Sequence, residues 1–210
     1  MLEAALILAG GRSRRMGQPK DALPFGGTTL LERTAATVRA CALRVVVVGR
    51  GSDQQLPVPA GCELVTDERP EAGPLAAIAT GLRALQRGGA AARDRVFVTA
   101  CDAPFLNAAG ILWLAARLGE HRLVMPRHDG ILQPLCSVLR IECLPAIDEL
   151  LAGGIRTPRS MVELGGSTVV DVDSLPDDSP LRRSLVNVNT PDEYRRSLSD
   201  VSDVTHRRDS

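Results

Sequence analysis

The stretch that decides the fold is Leu8-Ala9-Gly10-Gly11-Arg12-Ser13-Arg14-Arg15-Met16-Gly17-Gln18-Pro19-Lys20. Its first two residues end an apolar segment, residues 3–9, that suits one buried strand. The glycine pair allows backbone N–H groups to approach phosphate oxygens, and the arginines and the lysine can offset phosphate charge. A strand that ends in a basic glycine turn indicates a site for a nucleoside triphosphate.

The spacing of this turn separates it from two common phosphate-binding loops. A Walker loop ends in Gly-Lys-Ser/Thr, and a dinucleotide-binding turn has the pattern G-x-G-x-x-G. Neither pattern occurs in residues 8–20. A basic surface loop with a glycine turn remains the alternative interpretation at this point.

Composition limits the classes of protein to which the chain can belong. With 210 residues it is long enough for one α/β domain or a domain with a small appendage. The 25 basic and 25 acidic side chains balance to a net charge of zero, and only 2% of residues are aromatic. Both values argue against a nucleic-acid partner, because a broad basic surface and stacking platforms are missing.

The cysteines and the apolar runs predict a cytoplasmic protein. The five cysteines are odd in number and form no C-x-x-C pair, so we expect reduced thiols that pack in the core. No apolar run has the length of a membrane span, and the first one is too short for a signal peptide. We therefore expect no membrane partner.

Strand and helix patterns alternate along the chain, which predicts a Rossmann-like three-layer α/β/α fold with a mostly parallel sheet. Predicted strands cover residues 4–8, 45–48, 63–65, 95–99, 123–125, 134–139 and 168–172. Predicted helices begin at the capping box Thr29/Glu32, at Pro74, after Asn107, at Ile141 and at a second capping box, Thr190/Glu193. We expect a single domain over residues 1–198 and a disordered tail over residues 199–210.

Five motifs in sequence order give the chain a family resemblance. They are L-A-G-G-x-S-x-R-M-G-x-x-K at residues 8–20, Gly73-Pro74-Leu75-Ala76, Cys101-Asp102-Ala103-Pro104, Gln133-Pro134-Leu135 and Asn187-Val188-Asn189-Thr190-Pro191. The set resembles MobA-like nucleotidyltransferases. The resemblance implies transfer of GMP from Mg-GTP to molybdopterin or the molybdenum cofactor, with release of pyrophosphate and formation of a guanine dinucleotide cofactor.

The resemblance also implies which residues form the site. It places Arg15, Lys20 and Asp102 in catalysis, with Asp102 as the ligand of Mg2+. The implied nucleotide-binding residues are Leu8, Ala9, Gly10, Gly11, Lys20, Asp67, Gly73 and Asp102, in the N-terminal half. The implied acceptor-binding residues are Arg156, Asn187 and Asn189, in the C-terminal half.

The residues themselves support part of this assignment. Asp102 follows an apolar strand, and ligands gather at the carboxyl ends of parallel strands. Mg2+ prefers carboxylate and phosphate oxygens, so one or two protein carboxylates suffice. A turn-capping role is the other interpretation of Asp102 and of Asp67, and Glu68 competes with Asp67. Asn187 and Asn189 are predicted to share one face of a strand, either to bind donors and acceptors of a pterin or to serve a structural turn.

Three alternatives to this function stay open at the level of sequence. Gly10-Gly11 resembles guanylyltransferases, whereas Gln18-Pro19-Lys20 resembles cytidylyltransferases, so CTP is the alternative nucleotide. A sugar or polyol phosphate is the alternative acceptor. The third alternative is a non-catalytic nucleotide- or cofactor-binding partner of a molybdoenzyme or its chaperone.

Overall fold

The computed structural model describes residues 1–10, 20–51, 56–188 and 190–206. Within these ranges it describes every side chain except those of Lys20 and residues 200–206. The strands are β1 Leu2–Leu8, β2 Pro24–Phe25, β3 Thr28–Thr29, β4 Ala42–Gly49, β5 Glu63–Thr66, β6 Arg95–Ala100, β7 Leu123–His128, β8 Ile131–Leu132, β9 Cys136–Arg140 and β10 Ser167–Asp171. The α-helices are α1 Leu30–Arg39, α2 Pro74–Arg87, α3 Ala108–Ala116, α4 Leu144–Ala152, α5 Pro180–Ser184 and α6 Pro191–His206.

One main sheet organises the described part of the chain. Its strand order is β10-β7-β9-β6-β1-β4-β5, with β8 beside β7, while β2 and β3 form a separate hairpin. The pairs β1–β4, β1–β6, β4–β5 and β7–β10 are parallel, whereas β9 runs antiparallel to both β6 and β7. The predicted mostly parallel sheet is therefore confirmed.

Two apolar layers cover the two faces of the sheet. Successive side chains of β1 alternate between them, because neighbouring residues in a strand point to opposite faces. Ile7 belongs to a buried cluster that includes Leu31 of α1 and Ile111 of α3. Leu6 belongs to the other cluster, with Ile78 of α2 and Ile147 of α4. This arrangement confirms the three-layer α/β/α fold.

Local sequence signals place most helix starts correctly. In the first capping box, the Thr29 N–H donates to Glu32 Oε2 over 2.8 Å and the Glu32 N–H donates to Thr29 Oγ1 over 3.1 Å. The second box repeats this exchange between Thr190 and Glu193, over 3.0 and 3.2 Å. Asn107 caps α3 as predicted, because its Oδ1 accepts hydrogen bonds from the first turn.

Three predicted segments differ from the structure. The strand expected from Pro134 begins at Cys136, because the Cys136 N–H closes a turn onto the Gln133 carbonyl over 3.1 Å. The helix expected from Ile141 begins as a 3-10 turn, Ile141–Cys143, and becomes α-helical at Leu144. Helix α6 continues to His206, so the backbone is helical beyond residue 199, where a disordered tail was expected.

A third, smaller cluster lies beside the β2–β3 hairpin. Its buried members are Leu23, Phe25, Leu30 and Val188, with Phe105, Tyr194 and Leu198 packed against them. The Phe25 ring meets the Phe105 ring edge-on at a centroid distance of 6.1 Å, and the Tyr194 ring at 6.4 Å. This cluster packs residues 23–30 against α6.

Among the described residues, no helix has the length and apolar character needed to cross a lipid bilayer.

Candidate active site

The carboxyl ends of four parallel strands meet at one edge of the sheet. Hydrogen bonding continues past the strands: the Ala9 N–H donates to Val48 O over 3.0 Å and the Cys101 N–H to Leu8 O over 3.2 Å. On the other side, the Asp67 N–H donates to Gly49 O over 2.7 Å. The ladder thus brings the end of β1 and the two predicted aspartates to the same edge, as the alternating pattern predicted.

Gly10 lies where the chain leaves β1, and its lack of a side chain has a packing reason. A Cβ at Gly10 would lie 3.1 Å from Arg50 Cβ and 3.2 Å from the Arg50 backbone. The end of β1 therefore approaches the residue after β4 more closely than most side chains allow. Leu8 and Ala9 before it are buried. Gly11 and Arg15 lie outside the described residues, and Lys20 begins a 3-10 turn, Lys20–Ala22.

Asp67 is a buried carboxylate with partners from its own neighbourhood. Its side chain is 8% exposed, and its Oδ1 accepts hydrogen bonds from Thr80 Oγ1 over 3.3 Å and from the Arg69 N–H over 3.0 Å. The competing carboxylate, Glu68, forms ion pairs with Arg83 and Arg87 at 3.5 and 3.7 Å. Of the two, Asp67 is the one that the fold buries next to the strand ends.

Asp102 is partly exposed at the end of β6, and the backbone around it is held by distant elements. The Asp102 carbonyl accepts a hydrogen bond from the Val188 N–H over 2.9 Å, and the Pro104 carbonyl accepts one from Arg33 Nε over 2.6 Å. The cap of the following helix comes from Asn107, not from Asp102. A carboxylate in this position offers the hard oxygen ligands that a divalent cation bound to phosphates needs.

Gly73 brings the start of α2 next to the C-terminal half. Its φ of 84° and ψ of −178° belong to a region that is essentially restricted to glycine. A Cβ at Gly73 would lie 3.3 Å from the Arg156 carbonyl oxygen, so the loop that carries Arg156 packs against this turn. The Arg156 side chain is exposed. Gly73, a predicted nucleotide-binding residue, and Arg156, a predicted acceptor-binding residue, are therefore neighbours.

The predicted strand that would carry Asn187 and Asn189 is wrong. Residues 186–188 have no regular secondary structure and connect α5 to α6, and Asn187 is exposed. Their backbone is held by the Val188–Asp102 hydrogen bond and by burial of Val188, not by a sheet ladder. Asn189 lies outside the described residues. The segment nevertheless passes beside the Asp102 loop, so Asn187 lies near the candidate site.

The cysteines show no sign of nucleophilic chemistry. Burial raises the pKa of the Cys41 thiol to about 11 and that of the Cys136 thiol to about 12. Thiols with such pKa values stay protonated at neutral pH, and the protonated form is a weak nucleophile. Cys101, beside Asp102, is buried. These thiols pack in the interior, as the sequence predicted.

Sequence reasoning missed Arg33 and Thr34, which reach the Asp102 loop from α1. Thr34 Oγ1 donates to the Cys101 carbonyl over 3.5 Å, and Arg33 Nε donates to the Pro104 carbonyl, three residues later, over 2.6 Å. Both contacts join residues about seventy positions apart in the chain. No local pattern carries such a pairing, since it depends on how α1 packs against the end of β6.

Comparison with known proteins agrees with this geometry. The family model of the MobA-like NTP transferase domain matches residues 5–169. A probable molybdenum cofactor guanylyltransferase of Carboxydothermus hydrogenoformans is 30% identical over 198 residues, which cover 91% of this chain and 93% of that protein.

Solved structures share the fold. The molybdopterin-guanine dinucleotide biosynthesis protein A of Archaeoglobus fulgidus has a TM-score of 0.79 at 23% identity, with 95% of this chain and 99% of that one covered. A Mycobacterium tuberculosis protein in complex with manganese has a TM-score of 0.60 at 18% identity, with 95% and 99% covered. On the match over residues 5–169 and the identity to its relative, the chain belongs to the MobA-like NTP transferase family.

Proposed function

We propose that this protein transfers GMP from Mg-GTP to the phosphate of molybdopterin or of the molybdenum cofactor, which yields a guanine dinucleotide cofactor and pyrophosphate. The observation that carries the proposal is the edge of the sheet where Gly10, Asp67 and Asp102 follow three of four adjacent parallel strands, β1, β5 and β6. Membership in an NTP transferase family and a relative named as a guanylyltransferase support the same reaction.

In this proposal the nucleotide lies across the ends of β1, β5 and β6. Leu8, Ala9, Gly10 and Gly11 form the floor, and Asp67 and Gly73 form the side toward α2. Arg15 and Lys20 neutralise phosphate charge, as their family positions imply. The close approach of Gly10 to Arg50 gives this glycine a packing role whatever the base, so the choice of GTP over CTP rests on the relatives.

Asp102 is the residue proposed to hold Mg2+. Its carboxylate supplies oxygen ligands at the open edge of the sheet, and the triphosphate and water would supply the others, which fits the preference of this ion. When bound, Mg2+ would offset the charge of the phosphates. The manganese complex of a protein with the same fold agrees with use of a divalent cation.

The reaction needs alignment and charge neutralisation more than proton transfer. An oxygen of the acceptor phosphate attacks the α-phosphorus of GTP, and a new P–O bond forms as the bond to the β-phosphate bridge breaks. Pyrophosphate leaves with that electron pair. Arg15 and Lys20 would stabilise the charge on the departing phosphates, and Asp102 would hold Mg2+, which would supply further neutralisation of phosphate charge.

The acceptor is proposed to bind through the C-terminal half of the same domain. Arg156 lies next to Gly73, and Asn187 belongs to the segment whose Val188 N–H bonds to Asp102. Both positions border the nucleotide side of the site. Arg156 would contact the anionic phosphate of the pterin, while Asn187 and Asn189 would bind its polar ring atoms.

Pyrophosphate release from GTP and, separately, from CTP tests the proposal, with Mg2+ and molybdopterin present. We expect release with GTP, and its loss in Asp102→Asn. Asp177→Asn is the matched control, because that exposed carboxylate pairs with Arg182 at 2.6 Å outside the site. Release with CTP alone would correct the base, and release only with a sugar or polyol phosphate would replace the acceptor. Tight GTP binding without turnover would favour a non-catalytic partner of a molybdoenzyme or its chaperone.

A further inference from the structure

Three backbone carbonyls around Asp102 each accept a hydrogen bond from an element far away in the chain. Thr34 Oγ1 donates to Cys101 O over 3.5 Å, the Val188 N–H to Asp102 O over 2.9 Å, and Arg33 Nε to Pro104 O over 2.6 Å. Two of the donors, Arg33 and Thr34, are consecutive residues of α1. The backbone is therefore held on both sides of Asp102 by one helix.

Arg33 is itself fixed by aromatic packing. Its guanidinium carbon lies 5.3 Å from the centroid of the Phe25 ring, which packs edge-on against Phe105. Arg183 lies over the Phe105 ring, with its guanidinium carbon 5.2 Å from the ring centroid. A side chain held in this way has little freedom to leave the Pro104 carbonyl.

The charge of Arg33 has no carboxylate partner among the described residues, although its side chain is partly buried. Desolvation, followed by the nearby charge of Arg183, lowers the pKa of Arg33. Burying a cation without a counter-charge is unfavourable unless its N–H groups are bonded, and a charged donor bonds a carbonyl more strongly than a neutral one. Among the described residues, the Arg33 guanidinium donates its hydrogen bond to the Pro104 carbonyl.

We propose that Arg33 is a positioning residue for Asp102. By fixing the Pro104 carbonyl while Thr34 and Val188 fix the preceding ones, it presents the Asp102 carboxylate to the divalent cation in one orientation. The inference rests on the proposed function in one respect, the assignment of Asp102 as the metal ligand. It adds a link between α1, which follows the basic glycine turn, and the loop proposed to bind the metal.

Binding of Mn2+ tests this inference without turnover. The whole protein is saturated with a GTP analogue whose α,β-bridge is a methylene group, and bound Mn2+ is measured by electron paramagnetic resonance. The variants are Arg33→Gln, Arg33→Lys and Asp102→Asn. The matched control is Arg117→Gln, because Arg117 also lies over an aromatic ring, Trp113, and donates to a carbonyl over 3.0 Å, but at the C-terminal cap of α3.

We expect Arg33→Gln to weaken Mn2+ binding about tenfold, since residues that orient a metal ligand typically contribute that much to affinity. Arg33→Lys keeps a cationic donor and should recover most of the binding. Asp102→Asn should weaken it at least as much as Arg33→Gln, while Arg117→Gln should match the unmodified protein. In a turnover assay, Arg33→Gln should raise the metal concentration for half-maximal rate and leave the KM for GTP at saturating metal unchanged.

Other outcomes would overturn the inference. Unchanged Mn2+ binding in Arg33→Gln, beside weakened binding in Asp102→Asn, would show that the carbonyl contact does not position the carboxylate. Unchanged binding in Asp102→Asn would remove the metal assignment and the inference with it. Equal losses of thermal stability and of Mn2+ binding in Arg33→Gln and Arg117→Gln would show a merely structural role. If the expected Mn2+ pattern appears but no acceptor supports turnover, the proposed function fails and the positioning role stands.

Discussion

Two connections of equal length, residues 67–73 and 101–107, lead from parallel strands to helices and begin next to the two candidate aspartates. The first joins β5 to α2, and the hydrogen bonds to the Asp67 side chain come from partners within thirteen residues. The second joins β6 to α3 and is held by α1 and by Val188, both far away in the chain. Both loops place an aspartate at the carboxyl edge of the sheet. Side-chain bonds that are close in sequence stabilise the first loop, and bonds to distant elements stabilise the second.

The two aspartates differ accordingly. Asp67 is buried, and one of its carboxylate oxygens accepts hydrogen bonds from the loop and from α2, so its side chain stabilises the turn that it begins. Asp102 is partly exposed, and the bonds that hold its loop go to carbonyl oxygens. The bonds that fix the Asp102 loop therefore act on its backbone. We therefore expect loss of the local bonds that hold residues 67–73 to lower stability, and changes at Asp102 to act mostly on activity.

The largest expected effect is that of Asp102→Asn on turnover. The substitution keeps the size of the side chain but removes its charge, so a bound cation and the phosphates lose a stabilising partner. We expect pyrophosphate release to fall by about 10²- to 10³-fold, with the midpoint of thermal unfolding unchanged. Unaltered activity, or a loss of stability that explains the lower rate, would remove the distinction between the two loops.

Gly73→Ala should have the largest effect on stability. Alanine is strained at a φ of 84° and a ψ of −178°, and its Cβ would lie 3.3 Å from the Arg156 carbonyl oxygen. We expect the free energy of unfolding in urea to fall by about 1–3 kcal/mol. Gly153→Ala is the control, because Gly153 has a φ of −74° and its Cβ would meet the nearest atoms at 3.5 Å. Equal losses in the two variants would argue against backbone strain at Gly73.

Thr80→Val isolates the hydrogen bonds that hold the first loop. Thr80 Oγ1 donates to Asp67 Oδ1 over 3.3 Å and accepts from the Glu68 N–H over 3.4 Å, and valine has nearly the same shape without the hydroxyl. We expect the free energy of unfolding to fall by about 1 kcal/mol, with Mn2+ binding unchanged. Thr37→Val provides the comparison, since its hydroxyl bonds to a carbonyl of its own helix, that of Arg33. If Thr80→Val weakened Mn2+ binding, the first loop would also serve the metal.

This contrast also explains how much of the molecule could be predicted from sequence. Periodicity predicted the sheet, the two capping boxes the starts of α1 and α6, Pro74 the start of α2 and Asn107 the cap of α3. Those signals lie within a few residues of the structure that they specify. Asp67 and Asp102 could be named as candidates from sequence because strand ends are local features. Arg33 was not found, since its role depends on a contact across the fold. The strand expected at Asn187 was wrong for a related reason: the N–H of the next residue, Val188, donates to the Asp102 carbonyl and not to a neighbouring strand.

The smallest expected effect lies at the opposite edge of the sheet, which carries neither loop. There Glu3, near the amino end of β1, pairs with Arg95 at the amino end of β6. The Arg95 N–H donates to Glu3 Oε2, and Arg95 Nη2 donates to Glu3 Oε1 over 2.8 Å. Hydrogen bonding from the Arg95 side chain, opposed in part by desolvation, lowers the pKa of Glu3 from 4.5 to about 2. The ionised form is therefore favoured in the folded protein.

A carboxyl group with a lowered pKa stabilises the fold above its unfolded pKa, and this contribution is lost as the pH falls from about 4.5 toward 2. Both side chains are 35% exposed, so solvent screening limits the contribution to about 1 kcal/mol or less. We expect Glu3→Gln to lower the free energy of unfolding by that amount at pH 7, and the difference from the unmodified protein to shrink below pH 4.5. A difference that stays constant down to pH 3 would mean that Glu3 stabilises the two strands by packing alone. At pH 7, Glu3→Gln should bind Mn2+ as tightly as the unmodified protein, because this pair lies at the amino ends of the strands whose carboxyl ends carry the site.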